Sequence, residues 1–514
     1  MVRNLRGSRV LFAAVVVVVL AGLYVLAGLR HPISLSAGAV PRTARSAPVT
    51  SVVRACPAPG AEFSRGGGIA VMAEPSSRAG AASAGHGVAT VTRLAGLGSS
   101  APGPAVLSIT QAGTPRLATV SLDHTARAQT APKGKPSATT VVSTAVRGGV
   151  VVQASGSLAQ GLDVEQTAGT DLPTAACSSP STDFWFSGPG QRTAGRIEVY
   201  LMNPSGQPAD ASVDIFTDAG PLQQTADNGI TVPPHGMIVQ SLAPVLHNSR
   251  SLALHVRTTV GQVAAAVQES TGTGEGAWLP PVQVPATHLV IPGLPAAPGS
   301  RELYLAVPGV KDANVQVSAV TSRGTYEPTG AGGIDIPGGS AAEISLPSLG
   351  GIPAAIKLTS STPVSATVMI PGGTNGSPGS FTAAAPALEE QGVVADNVTG
   401  RGKVSALILS APHAAARVSV AQISSAGSAR RTQTIQVSSG KSVVVTLKAV
   451  PGAARGAPFA VVISPLPGSG PVYAGRVISA SGAGGALQAM LPVASSLVTV
   501  PLPPVRDAAI EPGP

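Results

Sequence analysis

Phe184, Trp185 and Phe186 stand side by side in a chain of 514 residues that holds only two Trp, five Tyr and seven Phe. Clustered aromatics can stack on sugar rings through their apolar faces, which makes Trp185, with the second tryptophan Trp278, the candidate ligand platform. Packing is the competing reading. In a strand Phe184 and Phe186 point to one face and Trp185 to the other, and phenylalanine has no polar edge to turn toward water. Just ahead of this stretch lies Cys177, which with Cys56 completes the cysteine content. In an exported chain two cysteines are most simply a disulfide, Cys56–Cys177, with two free thiols as the alternative.

Other residues that could carry chemistry are scattered. Asp210, Asp214 and Asp218 recur at every fourth residue, but glycoside chemistry needs two carboxyls facing each other across a cleft of about 5–10 Å. A row along one strand is expected to be the solvated face of an edge strand. The eight histidines are dispersed. The nearest pair, His247 and His255, falls in different elements, and His235 follows Pro233-Pro234 in a turn. HExxH, CxxC, a Walker loop, a dinucleotide fingerprint and a Gly-x-Ser-x-Gly elbow are all missing from the sequence. We therefore expect no catalytic, cofactor-binding or metal-ligating residues and a non-enzymatic protein. An enzyme with an unrecognised site stays as an alternative. Asn397-Val398-Thr399 fits the N-glycosylation pattern, which arises often by chance.

The composition says what must position these residues. Charged residues make up 11 % of the chain, against about 25 % in ordinary soluble domains. Gly (61) and Pro (47) are abundant and hydrophobic residues stand at 44 %. Such a chain is too apolar for disorder and too rich in turn formers for helical bundles, so many short strands are expected. The net charge is +9, part of it from Arg3, Arg6, Arg9 and Arg30 around an N-terminal apolar run. No basic stripe interleaved with aromatics follows, which argues against nucleic-acid binding and leaves weak attraction to anionic wall polymers.

Val10 to Leu29 is an uncharged run of twenty residues. As a helix it spans about 30 Å, the thickness of the bilayer's hydrocarbon. The arginines before it hold the N-terminus in the cytoplasm and place the rest outside. A cleavable signal peptide with an Ala37-Gly38-Ala39 site, giving a secreted protein, is the alternative. Val53-Arg54-Ala55-Cys56 is no lipoprotein box, because a charge stands where a small residue is needed.

Residues 1–9 thus read as a cytoplasmic tail, 10–29 as a transmembrane helix or signal anchor, and 30–50 as a flexible linker. Residues 51–190 read as a loosely patterned β domain closed by Cys56–Cys177. After Gly190 the alternation sharpens. Ile197, Val199 and Leu201 mark one strand, Val213 and Ile215 another, and Asn203-Pro204-Ser205-Gly206 a turn between them. The order recurs: Tyr200-Leu201 and Pro204 match Tyr304-Leu305 and Pro308, Val213 matches Val317, and Ile230 and Val232 match Ile334 and Ile336. A looser third copy contains Pro412, Ile435 and Val437. The repeat, about a hundred residues long, fits separate sandwiches better than propeller blades of about 40–50. The expected fold is mainly β: an N-terminal transmembrane helix followed by tandem antiparallel β-sandwich (Ig-like) modules at 191–285, 286–385 and 386–505, and a disordered tail at 506–514.

A family pattern is then visible. Cys56-Pro57, the element Cys177, Pro180, Asp183, Trp185, Phe186 and Gly188, the strand end Leu201, Asn203 and Pro204, and the turn from Val232 to Gly236 stand in order along the chain. Together they resemble the actinobacterial membrane-anchored family catalogued as domain of unknown function 5719, over about 51–505. The third module departs from the pattern, with Ala411-Pro412 in place of Asn-Pro. The resemblance implies no catalytic residue. It implies a membrane-anchored protein of the cell envelope, held in the cytoplasmic membrane by 10–29 and acting outside it as a scaffold or binding protein. Cell-wall glycan or other envelope proteins are the expected partners, with carbohydrate binding through Trp185 or Trp278 as the alternative function.

Overall fold

The computed structural model describes Val18 and residues 46–502, apart from 58–66, 75–85, 95–104, 113–115, 123–141, 144–148, 157, 169–171, 173, 223–227, 271–275, 373–378, 401, 425–429, 454–455 and 483–484. The expected cytoplasmic tail, the membrane helix at 10–29 apart from Val18, most of the 30–50 linker and the 506–514 tail lie outside the described residues. Among the described residues no helix is long and apolar enough to cross a membrane.

Strand β1 (Ser46–Pro48) leads into a first group made of β2 (Ser51–Cys56), β3 (Gly67–Ala73), β4 (His86–Arg93), β5 (Ala105–Ala112), β6 (Arg116–Leu122), β7 (Val142–Ser143), β8 (Val150–Gly156), β9 (Asp163–Ala168) and β10 (Thr174–Ala176). The second group is β11 (Asp183–Pro189), the one-turn helix α1 (Gln191–Ala194), β12 (Arg196–Met202), β13 (Ala209–Thr217), β14 (Gly220–Leu222), β15 (Asn228–Val232), β16 (Met237–Ser241), β17 (Ser251–Val260), β18 (Ala264–Ser270) and β19 (Gly276–Leu279). The third holds β20 (Ala286–Leu294), β21 (Arg301–Ala306), β22 (Ala313–Thr321), β23 (Gly324–Tyr326), β24 (Ile334–Ile336), β25 (Ala341–Leu346), β26 (Ala354–Ile370) and β27 (Ser380–Ala383). The fourth holds β28 (Gly392–Asn397), β29 (Lys403–Ala411), β30 (Ala416–Ser424), β31 (Arg430–Val437), β32 (Lys441–Thr446), β33 (Phe459–Pro465), β34 (Tyr473–Gly482) and β35 (Gly485–Val493), and β36 (Thr499–Pro501) follows.

All four groups share one strand order. The first has sheets β2-β8-β4-β5 and β10-β9-β3-β6-β7, and the second has β11-β17-β13-β14 and β16-β12-β18-β19. In the third, the long β26 runs through both sheets, pairing with β20 and β22 at one end and with β21 and β27 at the other. The fourth has β28-β33-β30-β31 and β32-β29-β34-β35. With the short β7, β15 and β24 set aside and the two halves of β26 counted as sixth and seventh, each is a β-sandwich in which the first, sixth, third and fourth strands make one sheet and the fifth, second, seventh and eighth the other. That order differs from the ABED and CFG sheets of an immunoglobulin constant domain. The weakly patterned region before residue 183 is a sandwich of this same kind, which its sequence did not reveal.

Alternation explains the inner cores. In β13 every second residue, from Ala209 to Thr217, is buried, as expected of a strand with one face on a core. In the second sandwich Val213, Ile215, Leu254, Val256, Val199 and Val267 fill the space between the sheets. Other strands are buried on both faces, because the sandwiches also pack on one another. In β18 every residue is buried: Ala265 and Val267 face the sandwich core, whereas Ala264 and Ala266 meet Ala55, Leu94 and Ala175 of the first.

Four such seams close the array on itself. Leu94, Ala175 and Met237 join the first to the second sandwich, and Ala253, Ala306 and Ala341 the second to the third. Val290, Val320 and Ala355, with Tyr473, join the third to the fourth. Ala70, Met72, Val393 and Ile423 join the fourth back to the first. At the centre the eighth strands touch in turn: β10 with β19, β19 with β27, β27 with β35, and β35 with β10. Small side chains recur at these seams, as at Ala253, Ala306 and Ala341, where the sheets come close.

At the third seam the backbones of Gly293 and Gly475 approach closely. A Cβ on Gly475 would lie 2.3 Å from the Cα of Gly293, and neither side can yield by a rotamer change. Gly475→Val is expected to cost about 3 kcal/mol, the upper end of overpacking. Gly309→Ala, whose new Cβ meets nothing within 4 Å, serves as the neutral comparison. Equal urea midpoints for the two variants would show that this contact does not hold the seam.

Candidate functional site

The aromatic stretch of the sequence forms β11, and its alternation is as a strand requires. Phe184 and Phe186 share a face, their rings 6.4 Å apart. Trp185 points the other way and lines up across the sheet with His255 of β17 and Asp214 of β13. Its ring stacks on His255 at 3.8 Å and meets Phe216 at 6.1 Å. It is 6 % exposed and belongs to the core of the third sandwich, beside Val282 and Leu289. Its carbonyl accepts a hydrogen bond from Val282 N at 2.8 Å. Trp278, 7 % exposed, sits at the seam with the first sandwich, 5.2 Å from Tyr200. Neither indole presents a face to solvent, so neither forms an open stacking platform. Each fills a junction between sandwiches.

His255 has a polar rim. Its Nε2 lies 2.9 Å from Asp183 Oδ1, while Nδ1 is 3.6 Å from Asp214 Oδ2, which pairs with Arg257 at 2.8 Å. Burial against Trp185 lowers the histidine's pKa, although both aspartates oppose that shift. Among the described residues its charged neighbours are Asp183, Asp214 and Arg257, and no hydroxyl or thiol is hydrogen-bonded to either ring nitrogen. Asp210 instead accepts a hydrogen bond from Thr231, and Asp218 from the backbone N of Arg250. The aspartate row is therefore split: Asp210 and Asp214 lie on β13, a central strand with β17 on one side and β14 and β15 on the other, while Asp218 stands exposed in the turn after it. His235 occupies a tight turn at φ 49° and His247 an exposed loop, so the structure brings neither of them to His255.

The densest chemistry lies where the fourth sandwich meets the first, and no sequence motif marks it. Glu165 of β9 and Arg476 of β34 are both fully buried and paired at 2.7 Å. The backbone N–H of Ala395 in β28 donates to two carboxyls at once, to Glu165 Oε1 at 2.9 Å and to Asp163 Oδ2 at 3.0 Å. The two carboxyls thus meet at one donor. Around them, Thr167 donates to Asp396 at 2.6 Å, Arg54 of β2 donates to Ser179 and to Leu162 O, and Arg430 pairs with Glu74 at 2.8 Å. Gln391 Nε2 completes the seam on Glu74 O. Burial pushes the Glu165 carboxyl up to about 8, outweighing the pull of Arg476, and raises Asp163 as well against Arg54. The strand period puts 163, 165 and 167 on one face of β9, but their partners are some 230 to 310 residues away.

The remaining sequence signals resolve as architecture. Cys56 and Cys177 are disulfide-bonded and tie strand β2 of one sheet to the end of β10 in the other. Asn203 is fully buried. Its amide donates to Gln207 O and Val232 O while its oxygen accepts from Ser205, so the Leu-x-Asn-Pro element is a staple of the turn after β12. Gly188 packs under Leu279, and a Cβ there would lie 2.5 Å from its Cδ2. Asn397 is fully buried and donates to Val394 O and Phe459 O, which closes it to glycosylation in the folded state. A cavity of ≈ 20 Å³ lies beside Ala175, Phe186, Ala265, Trp278 and Met490, room for one or two waters. Among the described residues, no three His, Cys, Asp or Glu side chains are grouped to hold a metal ion.

These features define a mainly-β protein of repeated, disulfide-braced sandwiches. The chain belongs to the family described as "Family of unknown function (DUF5719)", whose pattern matches residues 128–448. That span runs from the later part of the first sandwich into the fourth. No curated protein matches the chain.

Proposed function

We propose that this protein is a membrane-tethered, extracytoplasmic component of the cell envelope that acts as a scaffold or binding body rather than as an enzyme. The observation that carries the reading is the Cys56–Cys177 disulfide, a bond that persists in oxidising compartments and is rare in the cytosol. The uncharged run from Val10 to Leu29, preceded by Arg3, Arg6 and Arg9, supplies the tether and its orientation. The buried polar groups support a structural role: the Glu165–Arg476 pair, the Glu74–Arg430 pair and both tryptophans are spent on contacts between sandwiches. A glycan platform at Trp185 or Trp278 would require a junction to open first.

Topology measurements test this. In membranes from producing cells the protein should resist alkaline extraction, be digested by protease added from outside, and migrate faster on a non-reducing gel than after reduction. A soluble cytoplasmic pool with two free thiols would overturn the proposal.

A further inference from the structure

The charge cluster between the first and fourth sandwiches sets two buried carboxyls on a single backbone N–H. Arg54 and Arg476 bring two positive charges, and Asp163, Glu165 and Asp396 three carboxyls. These are the charged groups facing the cluster from β2, β34, β9 and β28, with the Glu74–Arg430 pair at the far end of the seam. Two of the carboxyls receive the same N–H, that of Ala395, at 2.9 and 3.0 Å. Two ionised oxygens so close to one nitrogen would repel strongly in a buried site, whereas a carboxyl and a carboxylate hydrogen-bond each other. With one proton shared, two positive and two negative charges remain.

We propose that this seam is a proton-operated latch: a proton held between Glu165 and Asp163 keeps the fourth sandwich closed on the first, and opening the seam releases that proton. The array has three other seams, each with its own apolar contacts, so this one can open while the sandwiches themselves stay folded. Among the described residues its side-chain contacts are mainly between ionisable groups. At the third seam, by contrast, Ser442 Oγ donates to Val320 O and Met490 N to Ser380 Oγ.

The sign follows from linkage. A carboxyl held closed up to about pH 8, and freed to about 4.3 when the seam opens, binds its proton only in the closed form between those values. Each unit of pH rise across that window favours opening about tenfold. Above it both forms are ionised and the dependence ends.

Hydrogen exchange on the full-length chain, corrected for the intrinsic pH dependence of amide exchange, reads this directly. From pH 5.5 to 7.5, protection of 392–397 should fall about a hundredfold relative to 313–321 in the third sandwich. Glu165→Gln, which mimics the protonated form, should remove that fall. Infrared spectra supply a second readout. Wild type at pH 6 should show the carbonyl stretch of a protonated carboxyl that Glu165→Gln lacks, and the difference between the two separates it from Glu269, which burial raises to about 7. If Glu165→Gln does not fold, Asp163→Asn takes its place. Protection at 392–397 that is flat with pH in wild type would overturn the latch, as would a pH dependence that survives the substitution or a wild-type-minus-variant infrared difference without a carboxyl band.

Discussion

Reduction of Cys56–Cys177, or its replacement by two alanines, is expected to cost about 5 kcal/mol. The bond spans 121 residues, and the chain-entropy model assigns that much to a loop of this length. Two features of the structure sharpen the expectation. Both sulfurs are buried, at 0 % and 5 % exposure, so alanine also leaves a small void in the first sandwich's core. The bridge joins its two sheets, whereas the seams hold whole sandwiches together. Urea unfolding with and without reductant measures the effect. The midpoint should fall and the m-value rise, because a chain without its crosslink exposes more surface when unfolded. An unchanged midpoint would mean that the first sandwich is held by its apolar core alone.

Glu165→Ala should be almost as costly, about 3–5 kcal/mol, because it strands Arg476 with its charge fully buried. Arginine cannot shed its proton to escape. Glu165→Gln should be much milder, since an amide oxygen still accepts from Arg476. Joint replacement by Glu165→Leu and Arg476→Met should recover most of the loss, because two apolar side chains need no partners. Equilibrium unfolding of the three variants at pH 7 decides. If Glu165→Ala falls within about 1 kcal/mol of wild type, the pair carries no structural weight.

The repeat offers the clearest view of what a strand pattern can and cannot reveal. Tyr200 and Tyr304 recur because both sit on the second strand of a sandwich, and Val213 and Val317 because both sit on the third. Their period survived because both faces are fixed: the valines pack in their own sandwich's core, and the tyrosines pack on the neighbouring sandwich, Tyr200 beside Leu94 and Tyr304 in the second sandwich's core, so a slip of one residue would break both. The first sandwich escaped notice for a related reason. Its described core is built from Val, Ile, Leu and Ala much as the others are, but in the sequence its short apolar runs are set among Ala, Gly and Ser stretches that blur where strands begin and end. Strands buried on both faces, such as β18, lose the alternation altogether.

The sites divide along the same line. Composition, turn residues and spacing determined that the chain is mainly β, that its second, third and fourth sandwiches repeat at about a hundred residues, and that Cys56 and Cys177 could pair. These are properties of the covalent chain and of local strand geometry. Tertiary structure decided the rest. It buried Trp185 and Trp278 in junctions, set Asp210 and Asp214 on a central strand with Asp218 in the turn beyond it, and set Asp163 and Glu165 of β9 against Ala395 of β28 and Arg476 of β34. No local pattern can foretell that last meeting, because β9 and its partners are brought together only when the fourth sandwich closes on the first. The pairing energy of a buried charge comes from the low dielectric that closure itself creates.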